Sequence, residues 1–179
     1  MNKRQTGFTI MELLITVVLA GILVAMAAPS FTGLVANSRI ADQTNELIGA
    51  MNLARSEAIR RNASLTLCRT ASIDSTNCPG GDANWQNWIL RTPAGTVVRR
   101  GSFNNFGNTQ QVSSTLASES ITFSPDGLAR TGGALVNAAD DDAHVFIVCS
   151  TRVDADNVRR LRLGSGSRIT TSRESGACS

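Results

Sequence analysis

Glu12 is the only ionisable residue in an apolar run that extends from Phe8 to Ala28. An ionised carboxylate deep in a hydrocarbon layer costs about 2.5–3.5 kcal/mol on insertion scales, so it needs a partner. The chemistry that suits it is charge pairing, not catalysis. Gly7 stands immediately before the run, behind a short basic tip that holds Lys3 and Arg4. Small residues mark peptidase cleavage sites, and an ordinary secretory signal carries its site after the apolar stretch. A cut after Gly7 removes the tip, keeps the apolar segment and frees an α-amine on Phe8, whose ordinary pKa is about 8. Within one helical chain that amine lies about 6 Å along the axis from Glu12. Between neighbouring chains, Glu12 of one facing the Phe8 amine of the next fixes an axial stagger, because the buried charge is satisfied in one register only. The simpler alternative is a membrane anchor that tolerates an acid near its interface.

The remaining residues with chemical potential are few. His144 is the only histidine, and it follows Asp140, Asp141 and Asp142. These aspartates lack the alternation and the closing Glu of a calcium loop, so they are read as a solvated turn. There is no HExxH, phosphate loop or Ser/His/Asp spacing. The chain is therefore expected to be non-enzymatic, with no cofactor and no metal. Trp85 and Trp88 in "NWQNWIL" have the ring faces that stack on nucleic-acid bases, but packing in the core is the expected role. Between Arg152 and Ser179 lie Arg152, Arg159, Arg160, Arg162, Arg168 and Arg173. Strand alternation puts Arg160 and Arg162 on one face and Arg159 on the other. With Arg168 they are the candidates for contact with DNA phosphates. Net charge is weak evidence for such a partner: without Lys3 and Arg4 the excess of basic residues falls from three to one.

Cys68, Cys78, Cys149 and Cys178 are even in number, widely spaced and free of any CxxC pair. That pattern indicates disulfides formed in an oxidising compartment. Of the three pairings, 68–78 with 149–178 is preferred, because the ends of short loops meet at low entropic cost.

The elements that must position these residues follow from periodicity. Phe8–Ala28 as a helix is about 30 Å long, enough to cross a membrane, and the basic tip predicts a cytoplasmic N-terminus. Pro29 is expected to kink this helix, with Gly33 as a second weak point. Beyond them Leu47, Met51, Ala54 and Ala58 recur at helical spacing, flanked by Ile48 and Ile59. A continuous helix from about Thr9 to Arg61 is roughly 80 Å long. Glu57 has Arg60 and Arg61 within helical reach, and Arg55 out of reach.

After Asn62 the period changes to that of short strands. The predicted strands are Leu65–Arg69, Trp88–Thr92, Thr96–Arg100, Ile121–Ser124, Val145–Cys149, Val158–Leu163 and Arg168–Thr171. Turns at Cys78-Pro79-Gly80-Gly81, Pro93-Ala94-Gly95, Pro125-Asp126-Gly127 and Gly164-Ser165-Gly166 separate them. The expected fold is α+β, with a long N-terminal helix packed on two small antiparallel sheets. The segments are a leader at 1–7, a membrane or filament-core helix at 8–28, an amphipathic continuation at 29–62 and a β-rich domain at 63–179.

The basic tip followed by Gly7-Phe8-Thr9-Ile10-Met11-Glu12-Leu13-Leu14 resembles the class III signal of type IV pilins and type II secretion pseudopilins. That resemblance implies cleavage after Gly7 by a prepilin peptidase, N-methylation of Phe8, and a role for Glu12 in filament assembly. "ARSEAI" leading into the strand at Cys68, the Trp85–Trp88 stretch and "ITFSPDGLAR" are similar to the GspH/FimT branch, and the whole chain to FimU-like minor pilins. The resemblance implies an inner-membrane protein with a periplasmic domain that reaches the cell surface in the pilus. Its partners would be other minor pilins and the major pilin, and its work would be to start assembly and link the tip complex to the shaft. A type II secretion pseudopilin is one alternative and a DNA-binding competence pilin another. The Gly-Arg-x-Arg motif of FimT-type DNA-uptake pilins aligns with Gly166-Ser167-Arg168-Ile169, where both motif arginines are out of place.

Overall fold

The computed structural model of the chain describes residues 8–79, 84–103, 110–136 and 144–178, and leaves aside the side chains of residues 26–30, 117, 144 and 165. Gly7, Pro79-Gly80-Gly81 in part, and Asp140–Asp142 therefore lie outside the described residues. Two compact units are present, Met1–Val35 and Ala36–Ser179.

Helix α1 spans Ile10–Arg61, 52 residues, and continues as helix through Pro29. Its start is set by Thr9: the Glu12 N–H donates to Thr9 Oγ1 at 3.2 Å and the Leu13 N–H to the Thr9 carbonyl at 3.2 Å. Thr9-Ile10-Met11-Glu12 thus reads as a capping sequence, with the hydroxyl satisfying a backbone donor that has no carbonyl partner inside the helix. Its end is equally defined. Asn62 takes a φ of 49°, the Ala63 N–H reaches the Ala58 carbonyl and the Asn62 N–H the Ile59 carbonyl, both at 3.2 Å. This is a Schellman closure, and asparagine is one of the residues that tolerates the left-handed position it demands.

From Ala36 onward one face of α1 is buried. Ile40, Leu47, Met51, Ala54 and Ala58 are at 0% exposure, as the 3–4 spacing predicts. Ile59, which flanks that stripe, remains 52% exposed.

Ten strands follow. β1 (Leu65–Thr70), β2 (Asn87–Arg91), β3 (Val97–Ser102), β5 (Ser120–Phe123), β6 (Ala129–Thr131) and β7 (Ala134–Leu135) form one antiparallel sheet in the order β3-β2-β1-β5-β6-β7. β4 (Gln110–Ser114), β8 (His144–Ser150), β9 (Val158–Gly164) and β10 (Arg168–Glu174) form a second, ordered β10-β9-β8-β4. The inner faces of both sheets share one core with the helix: Leu65, Leu67, Leu90 and Phe123 from the first, and Val112, Phe146, Val148, Leu161 and Leu163 from the second. A fully buried side chain of this kind contributes about 1.5–3 kcal/mol, so the core dominates the stability of the unit.

Both tryptophans belong to that core and neither offers a ring to a base. Trp85 packs edge-on against Phe146 with ring centroids 4.8 Å apart, and its indole N–H donates to the buried carboxylate of Glu119. Ser114 donates to the same carboxylate at 2.6 Å. Trp88 donates to Glu46 Oε1 of α1 at 3.2 Å. Partial burial pushes the Glu46 carboxyl above its usual range, with the Trp88 bond and Arg99 acting in the opposite direction.

Trp88 stands across from Gly101 in the β2–β3 register. A Cβ on Gly101 would fall 2.5 Å from the indole ring and 2.7 Å from Glu46 Oε1. Gly101→Ala is therefore expected to displace Trp88 and lower stability by about 1–3 kcal/mol, as overpacked cores do. Chemical denaturation of the purified protein measures it; an unchanged midpoint would show that the ring yields freely.

Candidate functional site: the N-terminal helix segment and the basic sheet face

The first candidate site is the start of α1. Every residue from Phe8 to Ala25 is exposed, including Ile10 at 81% and Val24 at 69%. A continuous exposed apolar surface of this length marks an interaction site. Glu12 lies in the first turn, where the capping sequence places it. Phe8 and Thr9 precede the helix, so the sequence estimate of where helix begins is right to within a residue. Among the described residues no helix is long and apolar enough to cross a membrane. The span expected from sequence includes Met26, Ala27 and Ala28, whose side chains are not described.

The second candidate is the outer face of the β8–β9–β10 sheet. The register sets Arg160 opposite Ser172, Arg162 opposite Thr170 and Arg168 opposite Gly164, so the three arginines share one face. Leu161 and Leu163 point to the core, and Arg159 on their side is buried, donating to the Asp156 and Val158 carbonyls at 2.6 and 3.2 Å. Burial holds the Arg159 guanidinium below its ordinary pKa, helped by Arg173. The outer face is not purely basic. Arg160 donates to Glu174 Oε2 at 2.7 Å, and this bond, with one from Ser172, holds the Glu174 carboxyl below its usual range. Arg162 is half-buried and Arg168 exposed.

Several residues that fix these surfaces carry no signal in the sequence. Ser167, with φ 60°, sits in the turn between β9 and β10; its Oγ accepts from the Ala129 N–H at 2.7 Å and its carbonyl accepts from Arg55 at 3.5 Å. One turn thereby joins the second sheet to the first and to the helix, and Arg55 bonds to it while Glu57, two residues on, lies out of its helical reach. Glu57 instead binds Arg60 and Arg61, each at 2.6 Å, which lowers its carboxyl to a pKa of about 2. Buried Asn157 holds the C-terminal tail. Its side-chain amide donates to Gly176 O at 2.7 Å and Ser150 O at 3.1 Å, and its Oδ1 accepts from the Gly176 N–H at 2.9 Å.

Cys149 and Cys178 form a disulfide beside that clamp, and Cys68 and Cys78 form the other, each with Cα atoms 5.7 Å apart. The loop closed by the latter lies on the β2–β3 hairpin, where Arg100 donates to the Ile73 carbonyl at 2.7 Å and Arg91 to that of Thr76 at 3.1 Å. In the turn after β5, Gly127 takes the positive φ expected of it, 77°, against Ile59 and Arg55. Among the described residues no group of His, Cys, Asp and Glu is arranged to hold a metal ion.

Residues 43–169 match the family described as Type II transport protein GspH, and residues 2–28 match the prokaryotic N-terminal methylation motif. The type IV narrow pilus major component PilA5 of Thermus thermophilus is 30% identical over 134 residues, covering 75% of this chain and 99% of that protein. Two crystal forms of the type IV minor pilin FimU of Pseudomonas aeruginosa superpose with a TM-score of 0.48 at 18% identity. The first covers 72% of this chain and 88% of FimU, the second 74% and 87%. An exposed apolar helix start within a methylation motif, joined to a domain that matches GspH over most of its length, leaves one assignment: the chain belongs to the GspH family of type IV pilin-like proteins, which are structural subunits and not enzymes.

Proposed function

We propose that the chain is a minor pilin that helps to start a type IV pilus and joins its tip complex to the major pilin. In this reading prepilin peptidase cuts between Gly7 and Phe8 and methylates the Phe8 amine. The mature chain waits in the inner membrane, held by its apolar helix segment, with the β-rich unit in the periplasm. Glu12 pairs with the Phe8 amine of a neighbour and sets the stagger, and Pro29 loosens the helix as it packs. The observation that carries the reading is the run of exposed apolar residues from Phe8 to Ala25, interrupted by one carboxylate at a capped helix start.

A second reading takes its support from the Thermus relative, which is the major component of a narrow pilus. On that reading the chain builds the shaft. Counting subunits in sheared filaments by quantitative mass spectrometry separates the two. A minor pilin is present at a few per cent of the dominant subunit or less, whereas a shaft subunit is itself dominant. A chain that co-purifies only with secretion-system pseudopilins would instead identify a type II secretion subunit, as the family description allows. For DNA uptake the outer sheet face offers Arg162 and Arg168, while Arg160 already serves Glu174. That is a weaker phosphate-binding surface than three uncommitted guanidinium groups would make.

A further inference from the structure

We infer that β10 is a docking edge for a second copy of this chain, through antiparallel pairing of the two β10 strands about Thr171. Free strand edges are normally blunted by bulges, shortness or covering segments. Among the described residues the other edges are managed in these ways. β7 has two residues, β3 pairs through a register shift at Leu90/Arg91, and the Val112 carbonyl of β4 accepts from the Trp85 N–H at 2.6 Å. β10 is different. It has seven residues in unbroken register with β9 and ends its sheet. The chain beyond it turns away, because Ser175 Oγ accepts from the Asp156 N–H and Gly176 is clamped by Asn157. At its other end Ser167 holds the turn to Ala129.

The sequence of this edge, Arg168-Ile-Thr-Thr-Ser-Arg-Glu174, is charge-complementary to its own reverse. Pairing centred on Thr171 sets Arg168 of each copy opposite Glu174 of the other, and Ile169 opposite Arg173. Opposite charges facing across a strand pair favour that register, and the one-residue slip that would set Arg168 of one copy opposite Arg173 of the other is disfavoured. Arg168 and Glu174 lie on the same outer face, so each new ion pair extends the existing Arg160–Glu174 contact. The contact is isologous and closes on itself. It therefore does not propagate along a polymer, and it describes paired subunits outside a filament, whichever filament role the chain has.

Cysteine cross-linking of the full-length chain in its own membrane tests the register. In the pairing the two Thr171 Cα atoms are about 4.5–5.5 Å apart, within disulfide reach. The two Arg168 Cα atoms are about 20 Å apart, six residues along the strands. Thr171→Cys is expected to give a reducible dimer, at least about tenfold more of it than Arg168→Cys, given that difference in reach. In the Thr171→Cys background, Arg168→Glu is expected to reduce the dimer, and adding Glu174→Arg to restore it. Equal cross-linking at both positions, no dimer at Thr171→Cys, adducts with other proteins alone, or failure of the charge swap to restore pairing would each overturn the inference.

Discussion

Glu12→Ala is expected to leave the chain in the membrane and remove it from filaments. The two effects have opposite signs because they depend on different environments. Taking one carboxylate out of an apolar helix relieves an insertion cost, so membrane retention holds or improves. In the proposed filament pairing the same change leaves the neighbour's Phe8 ammonium buried without its partner, and breaking such a pair costs about 3–5 kcal/mol. Incorporation should fall by about a hundredfold or more, since each 1.4 kcal/mol is a factor of about ten.

The helix start itself is spared. The bond that caps it is made by the backbone N–H of residue 12 to Thr9 Oγ1, which alanine preserves. Thr9→Ala is the matched control: it removes the cap, at about 0.5–2 kcal/mol, and keeps the charge. Immunoblots of membrane and sheared-filament fractions measure both. Normal incorporation of Glu12→Ala would remove the carboxylate from the proposed assembly role.

How far such features can be read from residues alone depends on whether they are local. Helix α1 was legible almost to the residue because its periodicity is long and both ends carry local signals, Thr9 at the start and Asn62 at the close. Strands β1, β8 and β9 were legible as apolar runs bounded by turns. β4 was not: Gln110-Gln111-Val112-Ser113-Ser114 has one apolar residue, and it is a strand because β8 pairs with it and Trp85 bonds to its edge. β6 and β7 are three and two residues long, shorter than any pattern can resolve.

The same distinction divides the polar residues. Glu57 with Arg60 and Arg61 follows from helical spacing. The roles of Glu119, Asn157 and Ser167 do not, because each binds groups far away along the chain and looks in sequence like any other polar loop residue. The predicted grouping of Arg160 with Arg162 holds, but that Glu174 occupies one of them is a consequence of the β9–β10 register.

Loss of the Cys149–Cys178 bridge should destabilise the β-rich unit more than loss of Cys68–Cys78. The two bridges span 29 and 10 residues of sequence. In the chain-entropy account, closing loops of these sizes removes about 3.6 and about 2.7 kcal/mol respectively from the freedom of the unfolded chain. What remains in the folded state differs as well. Without Cys68–Cys78 the loop still has the Arg91 and Arg100 donors on its carbonyls. Without Cys149–Cys178 the tail is held by Asn157 on Gly176 and by the Asp156 N–H on Ser175.

At roughly 2–4 °C per kcal/mol for a domain of this size, Cys149→Ala/Cys178→Ala should lower Tm by about 7–14 °C. The Cys68→Ala/Cys78→Ala pair should lower it by a few degrees less. Asn157→Ala is expected to cost more in the bridge-free background than in the oxidised protein, because the two clamps hold the same tail and their effects are coupled. Thermal unfolding of the oxidised parent and these four variants decides the matter. A larger loss from the Cys68–Cys78 pair, or strict additivity with Asn157→Ala, would show that the tail is held by contacts other than these.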